Sequence, residues 1–192
     1  MQKRYMKELS DVRSRLLRTL DKDQIIENAN MAERTTFRTG GTADLLIEPM
    51  ANQMPEVIRT LELTQVPYFV KGNGSNLLVS DSGYHGVIIE FGKLVSDIEV
   101  QMQRSEGTIR AQAGAALSTV AAKAQKAGLG GLEFASGIPG TVGGAMVMNA
   151  GAYGSEIKDV VESAAVLKND GKVVMMRDSA FDFGRSEERR VG

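Results

Sequence analysis

Cysteine is absent from the sequence, and with it go disulfides, thiolate metal sites and cysteine nucleophiles, an absence that fits a reducing interior. The one histidine, His85, stands among Gly83, Tyr84 and Gly86. A histidine-based metal site, triad or relay cannot be built from it, and it reads as part of a surface turn. Charge of one sign is lacking too: 23 basic residues against 24 acidic ones leave a formal net charge of −1. That balance lacks the basic face that dominates phosphate-backbone binding and argues against a nucleic-acid partner. No apolar run approaches the ~20 residues that cross a bilayer. The charged start MQKRYMKELSDVRSRLL has no signal-peptide core, so the expectation is a cytoplasmic protein without membrane insertion.

What is present is an apolar content of 42% over 192 residues, ample for one large domain or two small ones. Met6, Leu9, Val12, Leu16 and Leu20 recur at helical spacing between Lys and Arg, which predicts an amphipathic helix over residues 3–20. ADLLIEP reads as a strand stopping at Pro49, PYFVKG and NLLV as two short strands divided by the KGNGS turn, and GVIIEF as another strand. DIEVQMQRSEGTIRAQAG reads as a hairpin joined at Ser105-Glu106-Gly107. In ALSTVAAKAQKAG, Leu117, Val120, Ala121 and Ala124 share a helix face, and Gly128 is a natural C-cap. A last hairpin, VVESAAVLK and KVVMM, turns around Asn169-Asp170-Gly171. A helix followed by mixed β-structure with helical insertions favours α+β over a doubly wound parallel sheet.

Two glycine-rich segments carry the chemistry. The first, GNGSNLLV from Gly72 to Val79, is not a dinucleotide fingerprint of the Rossmann type, because Leu77 stands where the third glycine belongs and no helix is expected after it. It can present successive backbone N–H groups, the Ser75 hydroxyl and the Asn73 and Asn76 amides to an anion in a concave turn; a plain turn fits the same residues. The second, GIPGTVGGAMVMNAGAYG, spends six of eighteen positions on glycine. Glycine is kept where φ must be positive or where something approaches the main chain closely. The segment fits a tight helix entry packed on a sheet, with Gly143 and Gly144 allowing close contact, and equally a ligand clasp. Asn149 fits a helix cap or a ligand bond, and Met146 and Met148 fit core or ligand packing.

TTFRTGGTADLLIEP, VPYFVKGNGSNLLVSDSGYHGVIIE, GLEFASGIPGTVGGAMVMNAGAYGSEI and AFDFG, in this order and at these separations, resemble the UDP-N-acetylenolpyruvoylglucosamine reductase family of peptidoglycan precursor synthesis. The resemblance covers about residues 25–184. It implies an FAD-binding fold of the PCMH or vanillyl-alcohol-oxidase type, two α+β subdomains over about 25–92 and 93–184 preceded by a helical lead-in over 1–24. By that resemblance Gly72, Asn73, Gly74, Ser75, Asn76 and Leu77 hold the FAD diphosphate. Gly137, Ile138, Pro139, Gly140, Thr141, Gly143 and Gly144 form the second clasp. Asn149, Gly151 and Ala152 lie near the flavin ring, and Tyr153 lies near the substrate cleft. The implied activity is reduction of a UDP-sugar enolpyruvyl double bond, with NADPH as hydride donor and FAD bound non-covalently. A PCMH-type flavin oxidase or electron-transfer subunit, and a flavin-binding module without chemistry, use such clasps as well.

The match breaks at the C-terminus. The family follows FG with a tyrosine-arginine pair, whereas Arg185 follows Gly184 directly, so the family's arginine role is not carried onto Arg185. No counterpart of the family's proton-donating serine or late glutamate can be placed. The last eight residues, RSEERRVG over 185–192, resemble the translation of a sequencing adaptor, and native sequence is expected to end at Gly184. The chain is accordingly expected to be an FAD-binding fragment without turnover.

Overall fold

The computed structural model describes residues 2–104 and 106–183. They group into two units: residues up to Leu94 together with Ala165–Val174, and Val95–Ala164 together with the segment from Met175. Gly184 and the eight-residue tail that begins at Arg185 lie outside the described residues.

The first unit opens with α1 (Gln2–Leu16). The helix stops four residues short of the expected Leu20 because the chain tightens there, Arg18 N–H reaching Arg15 O and Thr19 N–H reaching Leu16 O at 3.0 Å each. The strands β1 (Ile25–Asn30), β2 (Thr42–Ile47), β3 (Tyr68–Lys71) and β4 (Tyr84–Glu90) form one sheet in the order β1-β2-β4-β3. β1 runs antiparallel to β2, and the three others run parallel. β2 and β4 read as apolar runs because both their faces are covered. Leu45, Ile47, Val87 and Ile89 join Val12 and Leu16 of α1 and Val57 and Leu61 of α2 (Met54–Thr64) in one core cluster. Leu46 and Ile88 join Ala29 and Met31 in another.

Three features of this unit differ from the sequence reading or add to it. Residues Asn76–Val79 form no strand: β3 and β4 are parallel, so the chain after β3 must return along the sheet before β4 can begin, and NLLV is spent on that crossing. His85 lies on β4 rather than in a turn. Its ring meets Tyr5 edge-on at 6.0 Å, and its Nδ1 is 3.4 Å from Asp44. β1 and α2 were not assigned from the sequence. β1, IIENAN, is polar because it is an edge strand with Glu27, Asn28 and Asn30 exposed.

In the second unit β5 (Ile98–Gln103) and β6 (Glu106–Ala111) pair antiparallel, Gln103 opposite Glu106. The reversal is therefore tighter than Ser105-Glu106-Gly107, and Arg104 takes φ +58 to make it. α3 (Leu117–Lys126) buries the four residues expected of it and ends through Gly128 at φ +71. It packs beside a 3-10 turn (Glu133–Gly137) and α4 (Val142–Met148), whose Phe134, Ala135 and Ala145 share its core. A two-residue pair, β7 (Gly151–Ala152) with β8 (Ser155–Glu156), follows. The last hairpin pairs β9 (Ser163–Leu167) with β10 (Val173–Arg177); its Ala165–Val174 portion groups with the first unit, and its turn is closed by Gly171 N–H to Lys168 O at 2.8 Å.

Candidate functional site

The parallel strands of the first unit deliver three charged residues at their C-terminal ends, the end where open α/β sheets place ligands. Glu48 follows β2, Lys71 closes β3 and Glu90 closes β4, with Lys71 and Glu90 directly opposite in the ladder. Lys71 Nζ lies 2.5 Å from Glu90 Oε2, its side chain 3% exposed. Arg34, arriving after β1, places Nη1 at 3.0 Å from Glu48 Oε1 and 3.4 Å from Glu90 Oε1. Burial works against the Arg34 charge, but the Glu48 hydrogen bond and the Glu90 and Glu48 charges outweigh it and hold its pKa above the ordinary value.

The GNGSN turn starts on Lys71. Gly74 is buried at φ +66, and a Cβ there would stand 2.5 Å from Arg34 O, 3.1 Å from Thr35 Cα and 3.3 Å from Lys71 Cε. Its carbonyl accepts the Thr36 N–H at 3.1 Å. Among the described residues the N–H groups of Asn73, Gly74 and Asn76 donate no hydrogen bond, so the turn keeps the donors an anion nest requires. It borders a cleft of about 370 Å³ lined by Arg34, Thr35, Thr36, Arg38, Lys71, Asn73 and Glu90 together with Glu33. Sequence reasoning passed over Arg34, Arg38, Lys71 and Glu90. The one available signal was Arg38 next to Thr39-Gly40-Gly41; nothing local marks a lysine at the end of an apolar strand. A hollow of about 230 Å³ between α2 and β3, lined by Glu62 and Tyr68 among others, brings no comparable set of charges together.

In the second unit the Gly137–Gly144 segment is laced to the chain before α3. Val142 N–H donates to Ala115 O at 2.9 Å, and Gly143 N–H donates to Ala113 O at 2.8 Å. A Cβ on Gly143 would meet Ala113 Cβ at 3.0 Å. Gly144 N–H goes to the Thr141 hydroxyl at 3.3 Å, Thr141 capping α4. These three donors are spent within the chain. The N–H groups of Gly140, at φ +136, and Thr141 are not, among the described residues. At Gly137 a Cβ would meet nothing within 4 Å. Ile138 packs on the core of this unit, while Pro139 is exposed.

Asn149, buried and at φ +44, ends α4. Its Nδ2 donates to Glu156 Oε2 at 2.9 Å, and its Oδ1 accepts the Lys158 N–H at 3.1 Å. The amide thus ties α4 to the β7–β8 pair. Gly151 is held tightly there, since a Cβ would stand 2.6 Å from Ser155 O. Ala152 is half-buried, and Tyr153 stands at the tip with φ +56 and 98% exposure.

In the first unit the unspent Asn73, Gly74 and Asn76 amides are donors of the kind a diphosphate takes, and in the second unit the Gly140 and Thr141 amides are likewise unspent among the described residues. The chain has no cysteine, and its one histidine, His85, lies beside Tyr5.

Comparison with known proteins agrees with this reading. Residues 49–177 match the family described as FAD binding domain. The UDP-N-acetylenolpyruvoylglucosamine reductase of Clostridium botulinum strain 657 is 46% identical over 163 residues, 84% of this chain and 52% of that protein. The enzyme so named from Agathobacter rectalis is 50% identical over 167 residues, covering 83% and 53%. The crystal structure of the Thermus caldophilus enzyme superposes with a TM-score of 0.63 at 32% identity, covering 84% of this chain and 54% of that one. The chain thus spans about half the length of the curated relatives it matches. Fold, glycine turns and similarity coincide on one conclusion, that the chain belongs to the FAD binding domain family.

Proposed function

We propose that this chain binds FAD non-covalently and is the flavin-holding portion of a UDP-N-acetylenolpyruvoylglucosamine reductase acting in the cytoplasm. The observation that carries the proposal is the Gly72–Asn76 turn, whose Asn73, Gly74 and Asn76 amides are unspent among the described residues and which sits at the C-terminal ends of parallel strands. Its role is to bind and orient: the amides take the diphosphate charge in place of water. Asn73 offers a side-chain donor at the same turn. In the second unit the Gly140 and Thr141 amides are unspent among the described residues, and Gly137 leaves open space for close approach. Asn149, bonded within its own chain, fixes the hairpin that displays Tyr153 toward substrate. Bound FAD would supply the hydride-carrying ring, with NADPH as hydride donor and the enolpyruvyl group of a UDP-sugar as acceptor.

The 192-residue chain corresponds to about half of its relatives, and the reading assigns proton donation and substrate positioning to the other half. A positioned proton donor alone contributes about a hundredfold to ten-thousandfold, so the chain by itself is expected to hold flavin without turnover. Binding is tested by titrating the folded chain with FAD, then denaturing and filtering it. Flavin absorbance should pass into the filtrate. A demonstrably folded chain that takes up no FAD refutes the proposal, and flavin retained on denatured polypeptide refutes the non-covalent part. Anaerobic reduction by NADPH followed by the enolpyruvyl substrate tests turnover, and rapid substrate-dependent reoxidation would show that these residues hold a complete active site.

A further inference from the structure

Lys71 and Glu90 occupy the last rung of a ladder whose other rungs, Tyr68–Val87, Phe69–Ile88 and Val70–Ile89, are apolar or aromatic. A buried ion pair at such a place adds little stability over two well-packed apolar side chains, because desolvation offsets the attraction. Stability alone therefore does not account for it.

The geometry around Gly74 does. Its slot is bounded by the Arg34 carbonyl at 2.5 Å, Thr35 Cα at 3.1 Å and Lys71 Cε at 3.3 Å from where a Cβ would stand. Two of these three residues are held by Glu90, Lys71 through Oε2 and Arg34 through Oε1. One carboxylate thus fixes two sides of the turn that offers its amides to a ligand, while Thr36 N–H fixes the Gly74 carbonyl between them. Arg34 is tied a second time, to Glu48 at the end of β2. We propose that Glu90, acting through Lys71 and Arg34, is a positioning residue for the phosphate-binding turn. It sets the direction of the Asn73, Gly74 and Asn76 amides without touching the ligand. This rests on the FAD reading above and adds to it the residues that preorganise the site.

Preorganisation and packing separate experimentally. Glu90→Leu leaves the buried Lys71 charge without its partner, Lys71→Met leaves Glu90 with Arg34 alone, and each should lower both thermal stability and FAD affinity. The double variant replaces the pair by apolar neighbours, which restores thermal stability. It also frees Arg34 from Glu90, so its FAD dissociation constant should stay about tenfold or more above wild type. Glu90→Gln, nearly isosteric, should show the same loss of affinity, and Lys71→Arg, which keeps the charge, should bind FAD better than Lys71→Met. If the double variant fails to fold, Glu90→Gln decides. FAD affinity within about twofold of wild type in a folded double variant, or in Glu90→Gln, overturns the inference while leaving the FAD reading standing. A folded wild-type chain that binds no FAD overturns the FAD reading and the inference together.

Discussion

Replacing Gly74 by alanine isolates what the glycine turn needs. At φ +66 an L-residue carries a penalty of about 1–2 kcal/mol. The new Cβ, 2.5 Å from Arg34 O and 3.1 Å from Thr35 Cα, meets backbone on two sides, and backbone cannot rotate away as a side-chain tip can. Forced relief of such overlap costs about 1–3 kcal/mol, giving a total of about 2–5 kcal/mol. In a chain of this length 1 kcal/mol moves the melting temperature by about 2–4 °C, so a drop on the order of 10 °C is expected. The assay is thermal unfolding of the ligand-free chain by circular dichroism, with Gly137→Ala as reference. At Gly137 φ is not positive and a Cβ meets nothing within 4 Å, so that variant should stay within about 0.5 kcal/mol of wild type. Gly74→Ala melting with the reference would show that the slot is not closed, and the positioning role built on its walls would lose its basis.

Gly137→Ala, harmless to the ligand-free chain, should weaken FAD binding; an unchanged dissociation constant would remove Gly137 from the contact surface. Asn149→Ala loses two hydrogen bonds at about 1 kcal/mol each and places alanine at φ +44 for about another 1 kcal/mol. Destabilisation of about 3 kcal/mol is expected, and denaturant melts matching wild type would contradict it. Tyr68 gives a pH signature: burial, then its hydrogen bond to Glu62 and that carboxylate's charge, pushes the phenol up to about 12. A folded pKa above the ordinary value near 10 favours the neutral form in the native state. Its contribution is thus complete below pH ~10 and lost as pH rises toward ~12. Tyr68→Phe should flatten that alkaline decline, and identical base-induced unfolding curves for the two proteins would rule the effect out.

The parts of the fold legible in the sequence are those whose signal is local. The β5–β6 hairpin, α3 and the last hairpin follow from alternation, a helical stripe and a glycine after it, and each appears at its expected place. The misassigned NLLV segment depends instead on a nonlocal fact, that β3 pairs parallel with β4. β1 was passed over because an edge strand carrying Glu27, Asn28 and Asn30 shows no alternation, although its partner β2 makes it a strand. α2 did carry a signal, Pro55 in the first turn and Val57, Ile58 and Leu61 at helical spacing. The charged residues behind the turn were hidden for the same reason as β1. Arg34, Glu48, Lys71 and Glu90 are spread over 57 positions of sequence and meet only where parallel strands end together.

Glycine in the two turns serves two ends that composition alone merges. Gly74, Gly143 and Gly151 are bare because the chain approaches itself, against Arg34, Ala113 and Ser155 respectively. A side chain at any of them collides with protein before it reaches a ligand. Gly137 has room around it and no positive φ, so its bareness has no internal cause, and on the proposed flavin reading it is left to the ligand. The amides divide the same way: Val142, Gly143 and Gly144 spend theirs inside the second unit, while those of Asn73, Gly74, Asn76, Gly140 and Thr141 remain unspent among the described residues. A nest works only if its donors are already aimed when the anion arrives, since ordering them on binding would consume part of the binding energy. On the proposed flavin reading the self-packed glycines serve the site even where they touch no ligand. They hold the turns in the shape that leaves the other amides free.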